Sequence, residues 1–370
     1  MNQEAILKLP RFNLKDRQIF DLELLMVGGF LPLKGFMNEA DYHGVVKDMR
    51  LADGSLFPIP VVLDVPNSFP HQVGDSLLLC DPYGNPMATM QIESRYTPDK
   101  QLEAQSVFGT TDMLHPGVRY LMNQMHDEYI GGKIEAIKVP ERHDFKEHRY
   151  TPEELKAKFK ERGWNQVVAF QTRNPMHRAH FELVKRAHQK TGLPVLINPV
   201  VGMTREGDID YITRVHTYRV VREKYGKDFT ELALLPLAMR MGGPREALWH
   251  MIIRKNYGVT HFIVGRDHAG PGKDSNGKPF YGPYEARDMA MKYAGEIGIE
   301  VVPSDELAYS AKKGDYVSTE ELEEGEEVLN LSGTEFRQKL FADEEIPEWF
   351  SFKESIDELR IGVAKQRRRG

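Results

Sequence analysis

Val167-Val-Ala-Phe170-Gln171-Thr172-Arg173-Asn174-Pro175-Met-His177-Arg-Ala-His180 decides the fold. Its first four residues form an apolar run too short for a helix, and a polar turn follows in which Asn174 is placed to cap a helix opened by Pro175. This is a buried strand passing through a turn into a helix. His177 and His180 then share a helix face with Val184 and His188, while Met176, Ala179, Leu183 and Ala187 line another. Two imidazoles thus crown a helix N-terminus, where unpaired N–H groups and partial positive charge suit phosphate.

Working outward, short β-branched runs at 166–170, 194–201, 231–237, 260–265 and 299–303 alternate with helical patterns near 175–191, 210–225, 244–256 and 283–297. Such alternation predicts an α/β fold, a doubly wound parallel sheet whose ligands sit at the carboxyl ends of strands. Upstream, Thr151-Pro-Glu-Glu opens a capped helix that marks a new domain, so a catalytic unit is expected over 149–312. Residues 1–148 read as a β-rich domain with strands such as 57–64 and 76–80, and one helix from Asp16 to Leu25 that stops at Gly28-Gly29. Residues 313–370 hold an acidic stretch, 320–327, read as a solvated loop, and a capped helix from Ser332 to Leu340, and are expected to form a small, largely helical subdomain.

The net charge of −6 argues against a general nucleic-acid binder, which needs a dense basic surface. Cys80 is the only cysteine, so neither an internal disulfide nor a cysteine-based zinc site is available, and a reducing compartment is expected. No signal peptide or membrane-spanning run is legible, which makes the expected location cytoplasmic. The basic tail Lys365-Gln-Arg-Arg-Arg369 reads as a solvated charge run without a function.

A second rich loop follows the strand at 260–265: Gly265-Arg266-Asp267-His268-Ala269-Gly270-Pro271-Gly272. Arg266 offers a planar fork for an oxyanion, and with Arg173 it could grip a dianion from two sides. The run is neither a P-loop, since Pro271 stands where lysine is required, nor a dinucleotide fingerprint. Its bland alternative is a flexible surface loop, as the bland alternative for the histidines is capping and packing. A zinc site on His177 and His180 lacks a third ligand, because Glu182 points elsewhere on the helix. Arg240 and Arg245 either face the anion site or form ion pairs, and His216, Trp249 and His250 read as packing residues.

Gln171 to His180 and Gly265 to Gly272 resemble the two active-site motifs of the ATP sulfurylases, or sulfate adenylyltransferases, and the likeness extends through Asp21-Leu-Glu-Leu24, Gly28-Gly-Phe30, Leu33, Gly207-Asp-Ile-Asp210 and Leu331-Ser-Gly-Thr-Glu335. The resemblance implies a PUA-like N-terminal domain, a nucleotidylyltransferase-type (Rossmann-like) catalytic domain and a short C-terminal subdomain. It implies that Gln171, Arg173, Arg266 and Ala269 bind sulfate, with Gln171 and Ala269 using backbone N–H groups. Asn174, His177, His180, Gly265, Asp267 and His268 would face ATP, Thr172, Arg173 and Asn174 would form a catalytic strip, and Leu307 would lie against adenine. Glu306 departs from the family pattern, in which an uncharged side chain is expected. The resemblance further implies Mg²⁺ carried with ATP, no zinc, no kinase-like extension, and a homo-oligomer, with a homodimer expected. Rival expectations are an adenylyltransferase acting on a phosphorylated vitamin precursor and an RNA-binding module built on the PUA-like half; the paired glycines with Arg266 disfavour the first, and the charge disfavours the second.

Overall fold

The structure is a computed structural model that describes residues 3–304 and 306–367. In the N-terminal half, the long strand Glu128–Ala136 pairs with four others, and Arg11–Asn13, Ser76–Cys80 and Pro86–Gln91 extend the same seven-stranded sheet. The strand expected over 57–64 is present only as Leu63–Val65. Pro58 and Pro60 remove the ladder donors that a strand across 57–62 would need. Ser76–Cys80 forms as read, with Cys80 fully buried.

The second half is built on a five-stranded parallel sheet. Its strands are β1 (Val168–Phe170), β2 (Val195–Ile197), β3 (Thr230–Leu232), β4 (His261–Val264) and β5 (Glu300–Pro303), in the spatial order β3-β2-β1-β4-β5. The crossovers are α1 (Arg178–Thr191), α2 (Tyr211–Val221), α3 (Gly243–Asn256) and α4 (Glu285–Ile297). Strand alternation sorts the side chains: Val168, Phe170, Ile263 and Val302 pack with Val184 and Ala187 of α1, whereas Ala169, Phe262 and Val264 pack toward α3 and α4. Burying each valine, isoleucine or phenylalanine among these contributes roughly 1.5–3 kcal/mol. Strand order reverses between β1 and β4, the switch point at which ligands bind in open α/β sheets.

Four local expectations change. The strands over 194–201 and 231–237 are shorter than read, because Pro199 and Pro236 interrupt the ladder and leave only a Val200–Leu235 bridge beyond it. The helix over 210–225 divides into α2 and a π turn, Arg222–Gly226. Asn174 and Pro175 do not open α1; His177 is its N-cap, in extended backbone. The preceding residues are tied to α2 instead, since Met176 N–H donates to Thr217 Oγ1 at 2.9 Å and the Tyr218 hydroxyl donates to the Asn174 carbonyl. The capped helix at Thr151 forms as read, with Glu154 completing a capping box.

After β5 comes an antiparallel sheet that periodicity did not reveal: β6 (Leu307–Ser310), β7 (Asp315–Ser318) and β8 (Val328–Leu329). The division expected at 312/313 falls in the turn between the paired strands β6 and β7. Helices α5 (Gly333–Ala342) and α6 (Lys353–Arg367) follow, the first with the anticipated Ser332 cap. Arg368 and Arg369 of the basic tail lie outside the described residues. No described helix is long and apolar enough to cross a membrane.

The two halves share a core. Trp249 of α3 is fully buried and stacks on Phe30 at 5.0 Å. Arg240 is buried against Asp21, and Arg245 donates to the carbonyls of Val45, Val46 and Pro58. These two arginines fasten the N-terminal domain rather than face an anion, and breaking such a buried pair by removing one partner costs about 3–5 kcal/mol.

Candidate active site

The first loop runs from the end of β1 to the start of α1. Thr172 is buried, and its hydroxyl accepts the Asn174 N–H at 3.1 Å, which closes the turn. Arg173 leaves the turn half-buried, with Nη1 2.6 and 2.7 Å from the two oxygens of Asp208. Gln171 has a buried Oε1 with no partner and His177 a buried Nδ1 with none. Orphaned polar atoms of this kind mark places where a ligand or water completes the bonding.

His177 and His180 stack on one another with centroids 3.7 Å apart, and Phe350 stacks on the far side of His177 at 5.1 Å. Burial holds His180 at a pKa of about 4, and burial together with His180 pushes His177 well below the ordinary range. Both rings are neutral at pH 7. His180 Nδ1 lies 3.2 Å from the Pro175 carbonyl, which assigns its proton to Nδ1 and leaves Nε2 bare. Glu182, set aside as a metal ligand, pairs with Lys185 and Arg186 of its own helix.

The second loop leaves β4 at Gly265. Asp267 and Ala269 both adopt left-handed backbone, with φ of 52° and 54°. Left-handed non-glycine residues cost about 1 kcal/mol or more and cluster at functional sites. A Cβ on Gly270 would fall 1.8 Å from Asp267 Oδ1, so any larger residue there would displace the Asp267 carboxylate. Arg266 is 57% exposed, and its Nη1 meets Glu306 Oε1 at 3.1 Å. His268 packs inward, against Phe262 and His250.

The loops converge. Asp267 lies within electrostatic reach of Arg173, Arg266 and Arg205, and the Arg205 guanidinium sits over Gly272, 3.3 Å from where a Cβ would be. Beside them opens a cleft of about 530 Å³, lined among others by Asn174, His177, Asp208, Glu306, Leu307 and Phe350. Sequence reasoning placed Arg173, Arg266, Asp267 and both histidines near one another. It gave no role to Asp208, Arg205 or Phe350. Among the described residues there is no group of three or more histidine, cysteine, aspartate or glutamate side chains arranged to hold a metal.

Residues 146–361 match the family model described as ATP-sulfurylase, and residues 1–139 match one described as a PUA-like domain. The sulfate adenylyltransferase of Schizosaccharomyces pombe is 51% identical across 97% of this chain and 74% of its own length. That of Phaeosphaeria nodorum is 52% identical across 95% of this chain, and that of Mycosarcoma maydis 49% identical across 100% of it. This chain spans 62% and 65% of those two relatives. A solved structure described as a hexameric APS kinase from Thiobacillus denitrificans aligns with a TM-score of 0.79 at 27% identity, over 97% of this chain and 64% of that one. The converging loops, the parallel sheet that presents them and the matched sequence agree: the chain belongs to the ATP-sulfurylase family.

Proposed function

We propose that this chain joins sulfate to the adenylyl group of ATP, releasing pyrophosphate and forming adenosine 5′-phosphosulfate, and that it also runs the reverse reaction. The observation that carries this reading is the convergence of Arg173, Arg205 and Arg266 at the switch point, beside an imidazole pair at a helix N-terminus. A sulfate oxygen held by Arg173 and Arg266 attacks the α-phosphorus in line, and the bond to the leaving pyrophosphate breaks. No covalent enzyme intermediate is needed, so positioning and electrostatic stabilisation supply the rate. Gln171 and Ala269 complete the sulfate site through backbone N–H groups. Thr172 sets the turn that aims Arg173 and Asn174; Asn174, Gly265, Asp267 and His268 face ATP, and Leu307 lies against adenine.

Three cations face three carboxylates, Asp208, Asp267 and Glu306. The dianion therefore competes with Asp208 for Arg173 and with Glu306 for Arg266. His180 binds a phosphate oxygen through Nε2 only after that nitrogen takes up a proton, and an approaching triphosphate raises its pKa. An ATP-using enzyme of this kind implies a divalent cation; we assign it as Mg²⁺ held chiefly by the phosphates, where it neutralises charge on the leaving group. A cytoplasmic location and a homodimer complete the reading, and the hexameric description of the structural relative supports self-association in general. The domain limits are kept at 1–148, 149–312 and 313–370, with the second boundary in the turn of the β6–β7 hairpin.

The test is to measure, on the purified chain, sulfate-dependent pyrophosphate release from ATP and pyrophosphate-dependent ATP formation from adenosine 5′-phosphosulfate. Turnover in both directions supports the reading. Turnover that ignores sulfate and proceeds with a phosphorylated organic acceptor overturns it.

A further inference from the structure

Beneath the second loop lies a row of titratable side chains for which the proposed chemistry has no use. Glu246, in the first turn of α3, and His250, one turn later, are fully buried, and His268 meets them from the loop. Glu246 accepts the Arg240 N–H at 2.9 Å and the Gly242 N–H at 2.7 Å. Burial alone would raise its pKa, but His250 and these N–H groups hold it below the usual carboxylate range, so it is ionised. His250 Nε2 lies 3.3 Å from Glu246 Oε1, close enough for electrostatic attraction though not aligned as a hydrogen bond, and His250 Nδ1 lies 3.0 Å from His268 Nε2. Arg254, a turn further along, is also fully buried; it donates to the Asn198 carbonyl at 3.3 Å and has no acidic hydrogen-bond partner among the described residues. Burial and this cation keep both histidines neutral.

Two neutral imidazoles 3.0 Å apart need one proton between them. A carboxylate beside His250 Nε2 repels a bare lone pair and attracts an N–H, so that proton sits on Nε2 and Nδ1 accepts. His268 must then donate from Nε2, which leaves its Nδ1 bare and, among the described residues, without a hydrogen-bond partner. We propose that Glu246 and His250 are positioning residues that fix His268 as its Nε2–H tautomer, so that the second loop offers the nucleotide a hydrogen-bond acceptor. Its ligand is a ribose hydroxyl or an exocyclic amino group, and not a phosphate oxygen, which is itself an acceptor. The identity of this ligand rests on the adenylyl-transfer reading; the tautomer does not.

The experiment labels the histidines of the full chain with ¹⁵N and assigns His268 by the signals lost in His268→Gln. The expected spectrum shows a protonated Nε2 and an unprotonated Nδ1 for His268, and tautomer averaging in His250→Phe. The ATP KM of His250→Phe should rise roughly tenfold with kcat and the sulfate KM nearly unchanged, and His250→Gln, whose carbonyl can accept from His268, should recover part of the loss. Should His250→Phe fail to fold, Glu246→Gln is read in the same way. His268 protonated on Nδ1, or an unmoved tautomer with an unmoved ATP KM in a folded variant, overturns the proposal. Wild-type protein with the expected tautomer and no sulfate-dependent turnover overturns the adenylyl-transfer reading alone.

Discussion

The loop after β1 and the loop after β4 meet at one switch point, yet they are built in opposite ways. The first is held from several sides: Met176 and Asn174 bond to α2, and His177 is clamped between His180 and Phe350. The second is open, with two left-handed residues and an arginine more than half exposed. Under the proposed reading, the contrast teaches that a buried, neutral imidazole pair would gain from an incoming triphosphate by changing protonation, whereas an exposed arginine would exchange one anion for another.

The sharpest way to break this contrast is at the clamped end. His180→Ala should lower kcat about 10²- to 10³-fold in a protein that still folds, the loss expected when a group that donates to the phosphates in the transition state is removed. In wild type, the His180 pKa, held at about 4 by burial, should rise when ATP binds, so binding should take up protons and the affinity for ATP should increase as pH falls from neutrality. Calorimetry in buffers of different ionisation enthalpy reads this uptake; a pH-independent affinity would show that the ring never charges. At the open end the effects are smaller. Arg205, which has no ion-pair partner among the described residues, should cost about tenfold in sulfate KM when changed to alanine, with the ATP KM little altered. An equal loss for both substrates would show that Arg205 only shapes the loop.

The smallest expected effect runs in the favourable direction. Glu306→Gln frees Arg266 from an exposed pair worth at most about 1 kcal/mol, so the sulfate KM should fall by up to roughly fivefold. A rise instead would show that Glu306 orients Arg266 rather than competing for it.

What the sequence made legible was local. Apolar runs, Pro and Gly punctuation and the Thr151 and Ser332 caps depend on near neighbours, and they located all five strands of the parallel sheet and both loops. What it hid was distant. Asp208 stands in a stretch that resembles the family, but its partnership with Arg173 exists only once the segment before α2 meets the loop after β1. Phe350 reaches His177 from the segment between α5 and α6, and Arg240 finds Asp21 across 219 residues. No periodicity announces such contacts. The misplaced N-cap of α1 has the same origin, because bonds to Thr217 and Tyr218 outweighed the capping preference of Asn174.

The central claim is that the two loops form one site in which Arg173 and Arg266 hold the same oxyanion. Sulfate-dependent pyrophosphate release should therefore be measured for wild type, Arg173→Ala, Arg266→Ala and the double variant, with thermal melting as the control for folding. The expected result is a loss of about 10²-fold or more in each single variant and a double variant little worse than either, since residues acting as a unit are strongly non-additive. Near-normal turnover in either single variant, or losses that simply multiply, would contradict it.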